Sequence, residues 1–134
     1  MHRILRFLLL TITLLFPFGL WAKEVYPKQD ALLTKNQLIS LLKKYHIRKD
    51  TTGLAFTYLA YAKNQEKWDD PKESPVESYR KSMELFMVLG DSTNYYEVSG
   101  ALGFYFMERP ILRKYAYEYL HKAVDYFSRS KQPQ

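Results

Sequence analysis

The residues best placed to do chemistry in this 134-residue chain are Trp68, Asp69 and Asp70, which stand side by side ahead of Pro71. Asp69 and Asp70 form the one acidic pair in a stretch that reads as a loop, and a tryptophan is a natural stacking platform for a sugar ring. Glycosidic chemistry, however, needs two carboxylates set apart across a substrate, and adjacent aspartates point in different directions. A solvated turn anchored by a buried Trp68 accounts for the same residues. His46 and His121 read as surface or capping residues at helical positions. With no cysteine anywhere and no His-x-x-x-His pair, a metal site has little to build on. Ser74, Ser82 and Ser99 lack a nucleophile's surroundings, and the 5 glycines are scattered rather than gathered into a phosphate-binding loop. The chain therefore reads as noncatalytic, with no cofactor and no metal.

Residues 1–22 read as a signal peptide to be set aside before the fold is considered. Arg3 and Arg6 give a basic start, residues 7–16 a short apolar run, Pro17 and Gly19 a break, and Ala22 a small residue at the cleavage point. The run is shorter than the roughly 20 apolar residues of a spanning helix, so no stable membrane span is expected after cleavage. The expected destination is a bacterial periplasm, or secretion. Cleavage would leave 112 residues without a disulfide or a lipid-bearing cysteine. Such a domain must hold together by apolar burial. The whole chain carries a formal charge of +6, which falls to +4 once Arg3 and Arg6 leave. The cations are spread as Lys43 and Lys44, Arg48 and Lys49, Arg80 and Lys81, Arg113 and Lys114, mixed with acids. A nucleic-acid groove wants them on one face, so nucleic-acid binding is excluded.

Apolar spacing predicts a flexible segment over 23–33, a helical domain over 34–130 and a disordered tail over 131–134. Five helices are expected. The first spans about 34–46, with Leu38, Ile39, Leu41, Leu42 and Tyr45 on one face and a capping box from Thr34 and Gln37. The second spans about 51–65. The third runs from Ser74 to about Leu89, with Ser74 as cap, Pro75 in the first turn, Glu77 closing the box and Gly90 ending the helix. A fourth ends before Arg109 and Pro110, and the fifth covers about 111–130. No stretch alternates as a strand, so the fold class is all-α.

Residues 79–86 (YRKSMELF) are echoed by residues 120–127 (LHKAVDYF), 41 positions on. Recurrence at that period marks stacked two-helix units. The second unit resembles the tetratricopeptide (TPR) repeat. Leu102 and Gly103 match its Leu-Gly pair, Phe106 its following aromatic, and Ala116, Leu120 and Ala123 its second helix, with one residue of altered spacing between Gly103 and Ala116. The first unit is more divergent, with Leu59 and Ala60, Lys63, Pro75, Tyr79 and Ser82 at the corresponding places and a longer loop from Lys63 to Pro75. Residues 89–96 (LGDSTNYY) are similar to the linker between the long repeats in the periplasmic sensor regions of bacterial regulators, including Bacteroidetes-type histidine kinases.

The resemblance implies an antiparallel helix-hairpin α-solenoid that binds a protein or peptide. Its groove would be lined by Thr57, Tyr61, Asn64 and Gln65 from the first unit, and by Glu97, Phe104, Met107 and Glu108 from the second. Tyr61, Phe104 and Met107 could equally be packing residues. The cationic pattern with which such repeats clamp a terminal carboxylate is missing, so apolar and polar peptide contacts are expected instead. On the fifth helix, Leu112, Ala116, Leu120, Ala123 and Phe127 form a core stripe, while Tyr115, Tyr119 and Tyr126 line a flank expected to be open for a partner or a second copy. Three other readings stand beside this scaffold. They are a small periplasmic glycan binder or enzyme using Trp68, Asp69 and Asp70, a purely structural oligomer, and a truncated piece of a larger regulator.

Overall fold

A computed structural model describes residues 25–68 and 70–131. The expected signal peptide, Asp69 and residues 132–134 lie outside the described residues. Five helices follow in order among the described residues: α1 Lys35–Ile47, α2 Thr51–Trp68, α3 Val76–Val88, α4 Ser92–Met107 and α5 Arg113–Ser130. No strand occurs among the described residues, and the fold is all-α.

The helix ends are chemical. Thr34 Oγ1 accepts from the Gln37 amide at 3.2 Å, and Gln37 Oε1 accepts from the Thr34 amide at 2.8 Å, closing the box that starts α1. Lys49 takes the left-handed conformation after α1 (φ 54°), and Asp50 Oδ1 then accepts from the Gly53 amide at 2.8 Å as α2 begins. Gly90 has φ 69° and ends the α3 turn, its amide donating to the Met87 carbonyl, and Asp91 caps α4 by accepting from the Asn94 amide at 3.0 Å. The expected start of α3 is corrected. Its helix begins at Val76, and Ser74 Oγ reaches only the Val76 amide, at 3.4 Å. Pro75 is fully buried, so packing of its ring sets the entry to α3 and Ser74 is left exposed.

Each helix packs on its neighbours in sequence, α1 on α2, α2 on α3, α3 on α4 and α4 on α5. One core joins the last four, from Ala55, Leu59 and Ala62 of α2 through Tyr79, Met83 and Phe86 of α3 and Val98, Leu102 and Phe106 of α4 to Ala116 of α5. Small residues let helices close on large ones. A Cβ placed on Gly103 would lie 2.6 Å from Leu120 Cγ, and one on Gly53 would lie 2.4 Å from the Tyr45 ring. Buried hydroxyls are bonded: Ser82 donates to the Ala55 carbonyl at 2.9 Å and Ser99 to the Tyr119 carbonyl at 3.0 Å. These bonds tie α2 to α3 and α4 to α5, and leave neither serine free as a nucleophile.

Candidate partner-binding face

Two parts of one face are candidates for binding: the flank of α2 crossed by the N-terminal segment, and a cleft between α4 and α5. Along α2, Thr57, Asn64 and Gln65 are buried, so the expected outward groove positions are corrected at all three. Thr57 donates its hydroxyl to the Gly53 carbonyl at 2.7 Å, within its own helix. The Gln65 amide group donates to Glu73 Oε2 at 3.0 Å and accepts from Ser78 Oγ at 2.7 Å, which fastens the loop after α2 to α3. Glu73 also pairs with Lys35. The Lys35 ammonium holds the Glu73 carboxyl below its ordinary range, and the same contact raises the pKa of Lys35. Tyr61 is half-buried with its ring edge-on to Trp68, the centroids 5.6 Å apart, and burial raises its hydroxyl pKa.

Asn64 has a different task. Its Oδ1 accepts from the Leu33 amide at 3.0 Å, while its Nδ2 donates to the Ala31 carbonyl at 2.9 Å and to the Ala60 carbonyl at 2.8 Å. The segment expected to be flexible is thus strapped across the helices, because a buried amide side chain needs partners and the strap's backbone supplies them. At the other end of the strap the Tyr26 ring stacks on Phe56, with centroids 5.7 Å apart and planes at 13°, and meets Tyr45 edge-on. Between these anchors Gln29 Nε2 donates to Glu97 Oε1 at 3.0 Å, reaching α4.

Beyond Gln29 the face opens into a cleft of about 720 Å³. Its walls are Tyr96, Gly100 and Phe104 of α4 and Leu120, Val124 and Phe127 of α5, with Lys63 at the edge. Phe104 is 56% exposed and Val124 67% exposed, a contiguous apolar lining open to water. Met107 and Glu108 are also exposed, past the end of the cleft on the same helix and its cap. Of the eight expected groove residues, the structure gives Asn64 and Glu97 separate bonds to the strap and places Glu97 and Phe104 on the lining of the cleft. The signal for Asn64 was an amide side chain with Ala60 and Trp68 one turn away on either side; its partner lay beyond any local pattern.

The tyrosine flank of α5 is corrected as well. Tyr126 stacks on Tyr96 with centroids 4.4 Å apart, and its hydroxyl lies 3.0 Å from Thr93 Oγ1. Tyr119 packs on Phe106 at 5.6 Å, and Tyr115 covers the same ring at 5.8 Å while keeping part of its surface in water. Rings on α4 reach across to these tyrosines, so Tyr119 and Tyr126 belong to the α4–α5 contact. The open aromatic on α5 is Tyr117, 73% exposed.

The other chemical candidates do not assemble. Asp70 Oδ1 accepts from the Lys72 amide at 2.9 Å inside a turn, and Trp68 is half-buried against Tyr61. His46 and His121 are exposed on different helices, and no group of three or more His, Cys, Asp or Glu residues placed to hold a metal occurs among the described residues. A polar cleft of about 420 Å³ near Gln65, Glu66, Tyr105 and Arg109 has its charges committed. Glu66 accepts from the Tyr79 hydroxyl, and Arg109 lies 3.6 Å above the Tyr105 ring while donating to that residue's carbonyl. No described helix is long and apolar enough to cross a membrane. No protein-family model, no curated protein and no solved structure matches this chain.

Proposed function

We propose that this chain is an exported, noncatalytic helical-repeat scaffold that binds a protein or peptide segment along the face formed by α2, α4 and α5. The observation that carries this reading is the apolar cleft between α4 and α5. Exposed Phe104 and Val124 lie in a concave lining rather than singly on a convex surface, and concave apolar surface is where segments dock. The basic start and short apolar run of residues 1–22 support export. The close approach of Gly103 to Leu120 and the pairing of helices in sequence order support a TPR-like unit, and with it a relation to periplasmic sensor repeats.

The test is selection of peptides from a displayed random library on the purified chain, followed by affinity measurement on the Val124→Glu variant. Val124 is exposed, so the variant keeps its helical circular dichroism. A charge on the cleft wall is expected to weaken the selected peptides by roughly ten-fold or more, the scale of one lost apolar contact set against a desolvated charge. Failure to enrich any peptide, or enriched peptides indifferent to the substitution, would remove this reading.

A further inference from the structure

The strap is held in a way that a foreign chain could copy. Asn64 reads the carbonyl of Ala31 and the amide of Leu33, residues i and i+2, whose polar groups lie on one edge of an extended backbone. That is how a neighbouring strand would be read, and it takes no account of the side chain between them: Leu32 is 78% exposed. Two side chains of the strap are recognised: Tyr26 by the faces and edges of Phe56 and Tyr45, and Gln29 by Glu97. The Lys67 ammonium reaches the Asp30 carbonyl only at 3.4 Å, and Val25 and Leu32 project into water. A segment without regular structure opens locally at less cost than a packed helix. Opening leaves the Asn64 amide facing outward with a donor and an acceptor to satisfy.

We infer that the face beneath the strap is a second binding site for an extended peptide, held closed in cis by residues 26–33. The incoming segment replaces the strap with the same chemistry: an aromatic residue five positions before the carbonyl that Asn64 takes, with free choice at the position after that carbonyl. This deepens the reading of the chain as a peptide binder, because Gln29 sits both on Glu97 and at the edge of the open cleft. One ligand could therefore run from the cleft into the strap's place.

The probe is a fluorescent synthetic peptide of residues 25–34, titrated into the full chain. The affinity of a site occupied in cis is reduced by the fraction of molecules in which it is open. Tyr26→Ala in the chain loosens the strap and is expected to tighten peptide binding roughly ten-fold or more by that relation. The same substitution in the peptide should weaken binding by a similar factor, and adding Asn64→Ala to the Tyr26→Ala chain should abolish it at unchanged helicity. In the unaltered chain, excess unlabelled peptide should accelerate hydrogen exchange at the Leu33 amide; this needs no substitution and decides the matter should Asn64→Ala lower the helicity. Equal binding to the unaltered and Tyr26→Ala chains, or a Leu33 amide indifferent to peptide, would overturn the inference and make the strap a permanent part of the fold. Library peptides sensitive to Val124→Glu would still bind in that case, so the two readings fail separately.

Discussion

Tyr79 ties the stability of this fold to alkaline pH. It has no exposed surface, and its hydroxyl donates to the Glu66 carboxylate, with the Lys63 ammonium 5.6 Å from the ring and 3.7 Å from Glu66. Burial first, and then the bond to Glu66, push its pKa well above the ordinary 10.0. The folded protein therefore keeps this proton at a pH where the unfolded chain has lost it. The associated stability is fully present below 10.0 and drains away as the pH rises above that value. Chemical denaturation at a series of pH values should show it, with Tyr79 adding about 1.4 kcal/mol of loss per pH unit above the unfolded value. Tyr79→Phe removes the ionising group and keeps the ring in the core. It should cost about 1 kcal/mol at neutral pH for the lost hydrogen bond and flatten the alkaline slope by one proton's worth. An unchanged slope would show that the ring leaves the core before it titrates.

At the scale of the element, two glycines on α4 look alike in the sequence and differ in the structure. A Cβ on Gly103 would meet Leu120 Cγ at 2.6 Å and the Leu120 backbone nitrogen at 3.1 Å, so α5 would have to move. A Cβ on Gly100 meets only the Ala123 Cβ at 3.6 Å, an ordinary contact. Gly103→Ala should destabilise the fold by about 1–3 kcal/mol through overpacking, while Gly100→Ala should stabilise it by roughly 0.5–1 kcal/mol by restricting the unfolded chain. Thermal melts of the pair decide this, and equal shifts would mean that α5 floats on α4. The helices were legible because their signals are local: Thr34 with Gln37, Gly90, and Leu102 with Gly103 each act within one turn or one hairpin. The entry to α3 was misread by one residue, since Pro75, not Ser74, stands at the cap and is buried. Asn64 and the strap were not legible, because the bonds that join them span 31 and 33 residues of sequence. Periodicity told that Asn64 shares a helix with Thr57 and Tyr61, and only packing told that its amide faces another part of the chain.

For the whole molecule, α5 packs chiefly on α4, so the last helix should be the first to fray. The rings of α5 fall into two sets with opposite consequences. Tyr119 and Tyr126 join α5 to α4 through Phe106 and Tyr96, and aromatic pairs of this kind contribute about 0.5–1.5 kcal/mol each beyond their buried area. Replacing both with Ser should therefore fray α5, lowering helical circular dichroism and the melting temperature together. Among the described residues Tyr117 meets the ring of His121 and is open to water, so Tyr117→Ser should leave both unchanged. Self-association through the outer face of α5 then has to use Tyr117, not the tyrosines packed against α4. Light scattering across a concentration series on the unaltered chain, Tyr117→Ser and the Tyr119→Ser/Tyr126→Ser pair separates the cases. A mass that rises with concentration and is lost only with Tyr117→Ser assigns the outer face of α5 to a second copy, leaving the cleft on the inner side to a different partner. A constant monomer mass in which the paired variant alone melts early confines the tyrosines of α5 to holding the last helix in place and removes self-association through that helix.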